Sequence, residues 1–188
     1  MKRCLKCKVL LLLVLSSFVA CKKVVVEFPG CSATIRGYVL DYFALNDKGL
    51  TKDVFSIPSD SFVLMLNSKD YYSFGMGCIN SKTPVTNYLQ DFTIYAVLSS
   101  GIIKLPDTCF KYMLGNGLEG IHSFNFDDTK QEILDKKPQH EILCLLKNNT
   151  YVPSETYFRF MVEYKLSDGV VGKSFSDPVL FTNSTSGK

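Results

Sequence analysis

The stretch Thr156 to Leu166 constrains the fold more than any other. Phe158, Phe160, Val162, Tyr164 and Leu166 alternate with Tyr157, Arg159, Met161, Glu163 and Lys165. A period of two places successive side chains on opposite faces of a strand, so this segment predicts a half-exposed antiparallel strand. Asp168-Gly169 follows, a strong short hairpin signal, and Val170 to Phe175 reads as the returning strand. Asp177-Pro178 breaks that strand, and Val179 to Thr182 forms a last one.

The same signals recur upstream. Residues 32–45 are rich in β-branched and aromatic side chains, with Ile35, Gly37, Val39, Asp41 and Phe43 alternating against Arg36, Tyr38, Leu40 and Tyr42. Phe62 to Leu66 is a continuous apolar run of strand length, with Tyr71 to Phe74 as its expected hairpin partner. Phe92 to Leu98 and Ile142 to Lys147 add two more strands. Residues 75–90 and 99–127 carry Gly, Pro and Asn punctuation and read as irregular loops.

One helix is expected, at about 129–136. Asp127 or Asp128 is placed to cap it, Gln131 stands in capping-box spacing from Asp128, and Pro138 limits its extension. Seven to nine strands, turns between most of them and no βα alternation predict an all-β fold. The expected form is an antiparallel β-sandwich, immunoglobulin-like, with one short helix. With no Trp, the Cys-Trp-Cys hallmark of antibody-type domains is absent. A closed barrel of lipocalin type is the alternative.

The N-terminus has a different character. Lys2, Arg3, Lys6 and Lys8 precede an apolar run from Val9 to Leu15 that weakens through Ser16 and Ser17 to Ala20. A basic flank, a short apolar run and a small residue describe an export signal, and the run falls short of the roughly 20 residues of a membrane span. Phe18-Val19-Ala20-Cys21 resembles a lipobox, in which the cysteine is acylated and the leader removed. An ordinary secretory signal and an uncleaved N-terminal anchor are the other readings. The expected organisation is a signal peptide at 1–20, lipidated Cys21 and a tether to residue 30, a sandwich domain over 31–183 and a polar tail at 184–188.

The leader holds four of the 21 basic residues and no acid, so the remainder carries 17 against 18, a net charge of −1. No basic surplus survives to favour nucleic acid. The 168 residues from Cys21 onwards suffice for one well-filled domain. Of seven cysteines, Cys4 and Cys7 lie in the leader. Cys31, Cys78, Cys109 and Cys144 allow three disulfide pairings, and Cys144, inside Ile142 to Leu146, also suits a buried free thiol.

The lipobox-like leader, the Lys22-Lys23 tether and the body ending in E-T-Y-F-R-F-M-V-E-Y-K-L-S-D-G together resemble the small lipoproteins of Bacteroides-type bacteria, an uncharacterised family. The resemblance implies attachment to the outer membrane through the N-terminal lipid. It leaves open which face is occupied, and it carries over no catalytic or binding residue.

Catalytic signatures are missing from the sequence. His122 and His140, the two histidines of the chain, stand in no two-ligand spacing. Gly115 to Gly120 fits G-x-G-x-x-G by letters but lacks a preceding strand and a following helix. No catalytic residue, metal ligand or cofactor is expected, and His122 with Asp127 is the weak exception considered. The candidates for recognition are aromatic. Tyr71, Tyr72, Tyr88 and Tyr95 are candidate platform residues, with Tyr157 beside them, since a flat ring with a polar tip suits a glycan or a protein surface. Two functions follow as expectations. One is a non-catalytic binding module that uses its loops. The other is a structural subunit of an envelope or adhesive assembly, joined through a strand edge such as 22–28 or 178–182.

Overall fold

The computed structural model describes residues 32–47, 49–52, 56–72, 85–115, 124–148, 150–152 and 157–182. Eleven strands occur among them, and they form two sheets. The first sheet runs β2-β1-β4-β8-β7. Its members are β1 (Ala33–Asn46), β2 (Gly49–Thr51), β4 (Phe62–Tyr72), β7 (Phe110–Gly115) and β8 (Glu141–Leu146), all antiparallel. The second runs β3-β11-β9-β5-β6, with β10 also on β9. It comprises β3 (Ser56–Pro58), β5 (Leu89–Leu98), β6 (Gly101–Lys104), β9 (Tyr157–Leu166), β10 (Val171–Phe175) and β11 (Val179–Thr182). Among the described strands, only β3 and β11 pair in parallel. The described residues form an antiparallel β-sandwich with one short α-helix, α1 (Lys130–Asp135).

The period-two reading of β9 holds in full. Phe158, Phe160, Val162, Tyr164 and Leu166 enter the core between the sheets, where Phe160 stacks on Phe62 of β4 at 4.9 Å. β10 and β11 are in effect one strand interrupted. Both pair antiparallel with β9, but the register slips by one residue between Phe175↔Met161 and Val179↔Phe158. At the slip the buried Ser176 hydroxyl accepts from the Phe160 amide and donates to the Asp177 carbonyl. A side chain thus replaces ladder bonds that Pro178 and the bulge interrupt.

The continuous apolar runs have a second cause besides the central core. In β4, Phe62, Leu64 and Leu66 face the second sheet, while Val63 and Met65 enter a separate cluster with Phe43, Leu143, Leu145 and Phe126. Phe124 and Phe126, stacked 6.2 Å apart, pack into this cluster, so the chain itself covers the outer face of the first sheet. Strands buried on both faces lose alternation, and the sequence shows this in 62–66 and 142–146.

Several expectations are corrected. Residues 71–72 are not the return arm of a hairpin, because β4 runs unbroken to Tyr72, opposite Ala33 and Thr34. The alternation assigned to 32–45 changes phase at a bulge between Ile35 and Gly37, so Ile35 and then Tyr38 and Leu40 share the core. The described part of 99–127 contains β6 and β7, which the Gly and Pro punctuation had concealed. The segment 178–182 is not a free edge, since β11 lies between β9 and β3, and 22–28 lies outside the described residues.

The helix is where it was expected, but its cap differs. Thr129 is the N-cap, its hydroxyl accepts from the Glu132 amide, and Glu132 reaches back to the Thr129 amide, which completes a capping box. Asp128 is used elsewhere: its carbonyl accepts from the Tyr112 amide on β7 and its carboxylate pairs with Lys136 at 2.7 Å. Glu132 is held below the usual carboxylate range by the Thr129 hydrogen bonds.

Cys109 and Cys144 are buried free thiols, so any disulfide pairing through either is excluded. Burial pushes both thiols up, leaving them packed as small apolar groups. Cys31 and Cys78 lie outside the described residues.

Beside the β1 bulge, Asn87 acts as a strand partner. Its Oδ1 accepts from the Ile35 amide at 2.8 Å, and its Nδ2 donates to the Ile35 carbonyl and to Asp168 Oδ2. Asp168 Oδ1 accepts from the Val170 amide, which ties the β9–β10 turn to the start of β1. Asn87→Ala is expected to lower stability by about 2–4 kcal/mol, because it strands both main-chain groups of a buried residue. Urea unfolding would show this, and a loss below about 0.5 kcal/mol would mean that the side chain is dispensable.

Candidate functional site

The two sheets differ on their outer faces. The first is covered by Phe124 and Phe126. On the second, no described segment lies across β6, β5, β9 and β10 in the same way. Register places Phe175, Met161, Tyr95 and Lys104 in one row of side chains across it. The adjoining rows bring Lys173 beside Glu163 and Thr93, and Arg159 beside Val97 and Ile102. Large apolar side chains stand open to solvent: Ile102 is 61 % exposed, Phe175 53 %, Val171 68 % and Tyr157 62 %. Glu163 binds the centre together. It accepts from the Tyr95 hydroxyl at 2.9 Å on one oxygen and pairs with the Lys173 ammonium at 2.5 Å on the other.

Each partner shifts the others. The Lys173 ammonium, then the Tyr95 hydroxyl, holds the Glu163 carboxyl below its ordinary range. Glu163 raises Lys173 by hydrogen bond and charge, and its hydrogen bond raises Tyr95. Glu163 therefore contributes stability above the ordinary glutamate range and loses it as pH falls through the depressed value. Lys173 keeps its contribution until pH rises through its elevated value. Lys173 is exposed and Glu163 and Tyr95 are only half-buried, so the effect on stability is small. Its use is to hold the Tyr95 ring in place on this face.

At one end of this face lies an open cleft of about 620 Å³, lined by Tyr88, Gln90, Asp91, Gln131, Leu134, Asp135, Lys137 and Lys165. α1 forms one wall and the start of β5 the other. Tyr88 is half-buried, and the Lys137 ammonium lies 5.6 Å from its ring centroid. Asp91 is engaged by Lys130 at 2.9 Å, and Asp135 accepts from Gln131 at 2.7 Å.

Of the tyrosines proposed from sequence, Tyr88 and Tyr95 flank one surface, on the cleft and on the face. Tyr71 and Tyr72 belong to β4 in the other sheet, so the four do not form a single platform. Tyr157 stands exposed on the second sheet's outer face. Cys21 lies outside the described residues, as does His122, so the pairing imagined for His122 and Asp127 falls there too. His140 is exposed at the bend before β8. Among the described residues, no group of three or more His, Cys, Asp and Glu could hold a metal ion, and no helix is long and apolar enough to cross a membrane. Sequence reasoning missed the pairing of Glu163 with Lys173, and it missed Lys137. The first two occupy outward positions of β9 and β10, but only the register sets them side by side.

No family model and no curated protein sequence matches the chain. A solved structure, the crystal structure of BcpA*(D312A), the major pilin subunit of Bacillus cereus, is similar at a TM-score of 0.22 and 10 % identity, over 83 % of this chain and 70 % of that one. A likeness of that size carries no argument about function.

Proposed function

We propose that the chain is an exported, lipid-anchored, non-catalytic module of a bacterial outer membrane that binds a glycan or protein partner on the outer face of its second sheet. The unequal treatment of the two outer faces carries this reading. One is covered by the chain's own phenylalanines, and the other leaves Ile102, Val171 and Phe175 in water around a fixed Tyr95. Exposed apolar groups gathered on one rigid face mark interaction surfaces. The polar groups there bond one another, which suits holding a partner more than transforming it.

The anchor is tested by metabolic labelling with a palmitate analogue: wild type incorporates label and Cys21→Ala does not. Equal labelling removes the lipid from the proposal. The face is tested with a photoreactive benzophenone side chain placed at Phe175 or Ile102 of the full chain in its own envelope. Adducts are expected at both positions and none at Lys52, which is 60 % exposed just after β2 of the first sheet. Adducts at Lys52 alone, or nowhere, would reject the face.

A second reading, assembly through a strand edge, is favoured by β6. All four of its residues are exposed, and it closes one side of the second sheet. The Leu105 amide donates to the Ile94 carbonyl, which fixes the phase of the ladder and turns the main-chain groups of Ile102 and Lys104 outward. An apolar edge with unpaired donors and acceptors invites another strand. Benzophenone at Ile103 that yields a ladder at multiples of the chain's own mass would favour this reading over the first.

A further inference from the structure

The residue that draws attention to the cleft is Lys137. It has φ of 51°, the left-handed region, and is the only non-glycine residue there among those described. It follows the C-cap Lys136 of α1, the position that helices usually fill with glycine because a Cβ is strained there. The turn itself has a structural purpose. The Lys137 amide donates to the Leu134 carbonyl, and the Pro138 carbonyl then accepts from the Leu89 amide at the head of β5. Glycine would make that turn with less strain. A strained residue whose side chain points at an aromatic ring in a cleft is an outlier of the kind that accompanies function.

The cleft's charges are unevenly satisfied. Asp91 is held by Lys130 and also accepts from the Phe92 amide. Asp135 accepts from Gln131. The ammonium groups of Lys137 and Lys165 have no carboxylate partner among the described residues, although both line the same space as the Tyr88 ring. We propose that this cleft binds a glycan unit bearing a carboxylate, of the uronic or sialic acid class. Lys137 and Lys165 meet its carboxylate, its ring lies against Tyr88, and its hydroxyls bond Gln90, Gln131 and Asp135. An acidic peptide fits less well, because it brings few hydroxyl donors for these acceptors. The volume of about 620 Å³ falls within the range of about 300–1,000 Å³ usual for small-ligand sites.

The proposal rests on the reading of the second sheet as the binding side and names a ligand class for one end of it. It is tested by calorimetric titration of the full chain with trigalacturonate, sialyllactose, maltotriose and triglutamate. At least one acidic sugar is expected to bind at least tenfold more tightly than maltotriose or triglutamate. Tyr88→Ala and Lys137→Gly are each expected to weaken it at least tenfold. Lys137→Gly is also expected to raise Tm by about 2–4 °C, so its loss of binding would not reflect unfolding. No binding by either acidic sugar, equal binding of maltotriose or triglutamate, or full binding by Lys137→Gly would overturn the proposal. Phe175 and Ile102 lie off the cleft. Failed cross-linking there with acidic-sugar binding retained rejects the face alone, and the converse rejects the cleft alone.

Discussion

Phe160→Ala is expected to lower stability by about 3–5 kcal/mol, the largest loss for any single truncation in this chain. Phe160 is fully buried at the middle of β9. It stacks on Phe62 at 4.9 Å with the rings inclined by 22°, meets Phe158 edge-on at 5.1 Å and lies 6.2 Å from Phe181. The four rings come from β4, β9 and β11, so removing one opens a cavity between the sheets that backbone hydrogen bonds keep from collapsing. Chemical denaturation would show the loss as a lower midpoint with the slope unchanged. Tyr157→Ala, three residues away along β9 from that same ring and 62 % exposed, serves as the comparison and should change stability by less than about 0.5 kcal/mol. A Phe160→Ala loss below 1 kcal/mol would show that the aromatic cluster does not hold the sheets together.

Gly172→Ala is the second large effect, and it works by overfilling. Tyr164 stands directly opposite Gly172 in the β9–β10 ladder. Its ring lies down over the glycine, so an added Cβ would meet the Tyr164 hydroxyl oxygen at 2.3 Å and the ring carbon Cζ at 2.4 Å. The ring cannot swing clear. Its hydroxyl also lies against Gly37 on β1, where a Cβ would sit 2.6 Å away, and Tyr38 packs edge-on at 5.4 Å. The expected cost is about 2–3 kcal/mol, at the upper end for overpacking. A double-mutant cycle separates this cause from ordinary strand propensity: in a Tyr164→Leu background the same Gly172→Ala change should cost less than about 1 kcal/mol. Equal cost in both backgrounds would put the effect in the backbone of β10 rather than in the ring.

Local periodicity was enough to read much of the sandwich. β9 shows a clean period of two because one face meets the core and the other meets water. The Asp168-Gly169 turn is legible because Gly169 adopts φ of 90°, which glycine tolerates, and the Asp168 carboxylate bonds the turn's own amide. β6 and β7 are not legible. They are short and flanked by Gly and Pro, and β7 owes its strand conformation to β8, which begins only at Glu141, beyond the intervening residues 116–140. The cap of α1 shifted from Asp128 to Thr129 for a similar reason. Both residues can cap, and the choice fell to the one whose backbone is not required by Tyr112.

The candidate site divides along the same line. Tyr88 and Tyr95 could be named from composition, because exposed tyrosine is a recurrent recognition group. Their placement could not, because it depends on which strands lie side by side. Tyr95 meets Glu163 and Lys173 across a register spanning some eighty residues, and Tyr88 meets Lys137 through a left-handed turn whose strain no local pattern announces.

By itself, the sequence determined the β class, the helix at 130–135, the strands of the C-terminal third and the expectation of export, since each depends on neighbouring residues and their hydropathy. The tertiary structure alone decided which sheet each strand joined, which outer face Phe124 and Phe126 cover and on which face Ile102, Val171 and Phe175 stand exposed. Those outcomes depend on pairings between distant segments, whose energies come from burial and hydrogen bonds that exist only once the segments meet.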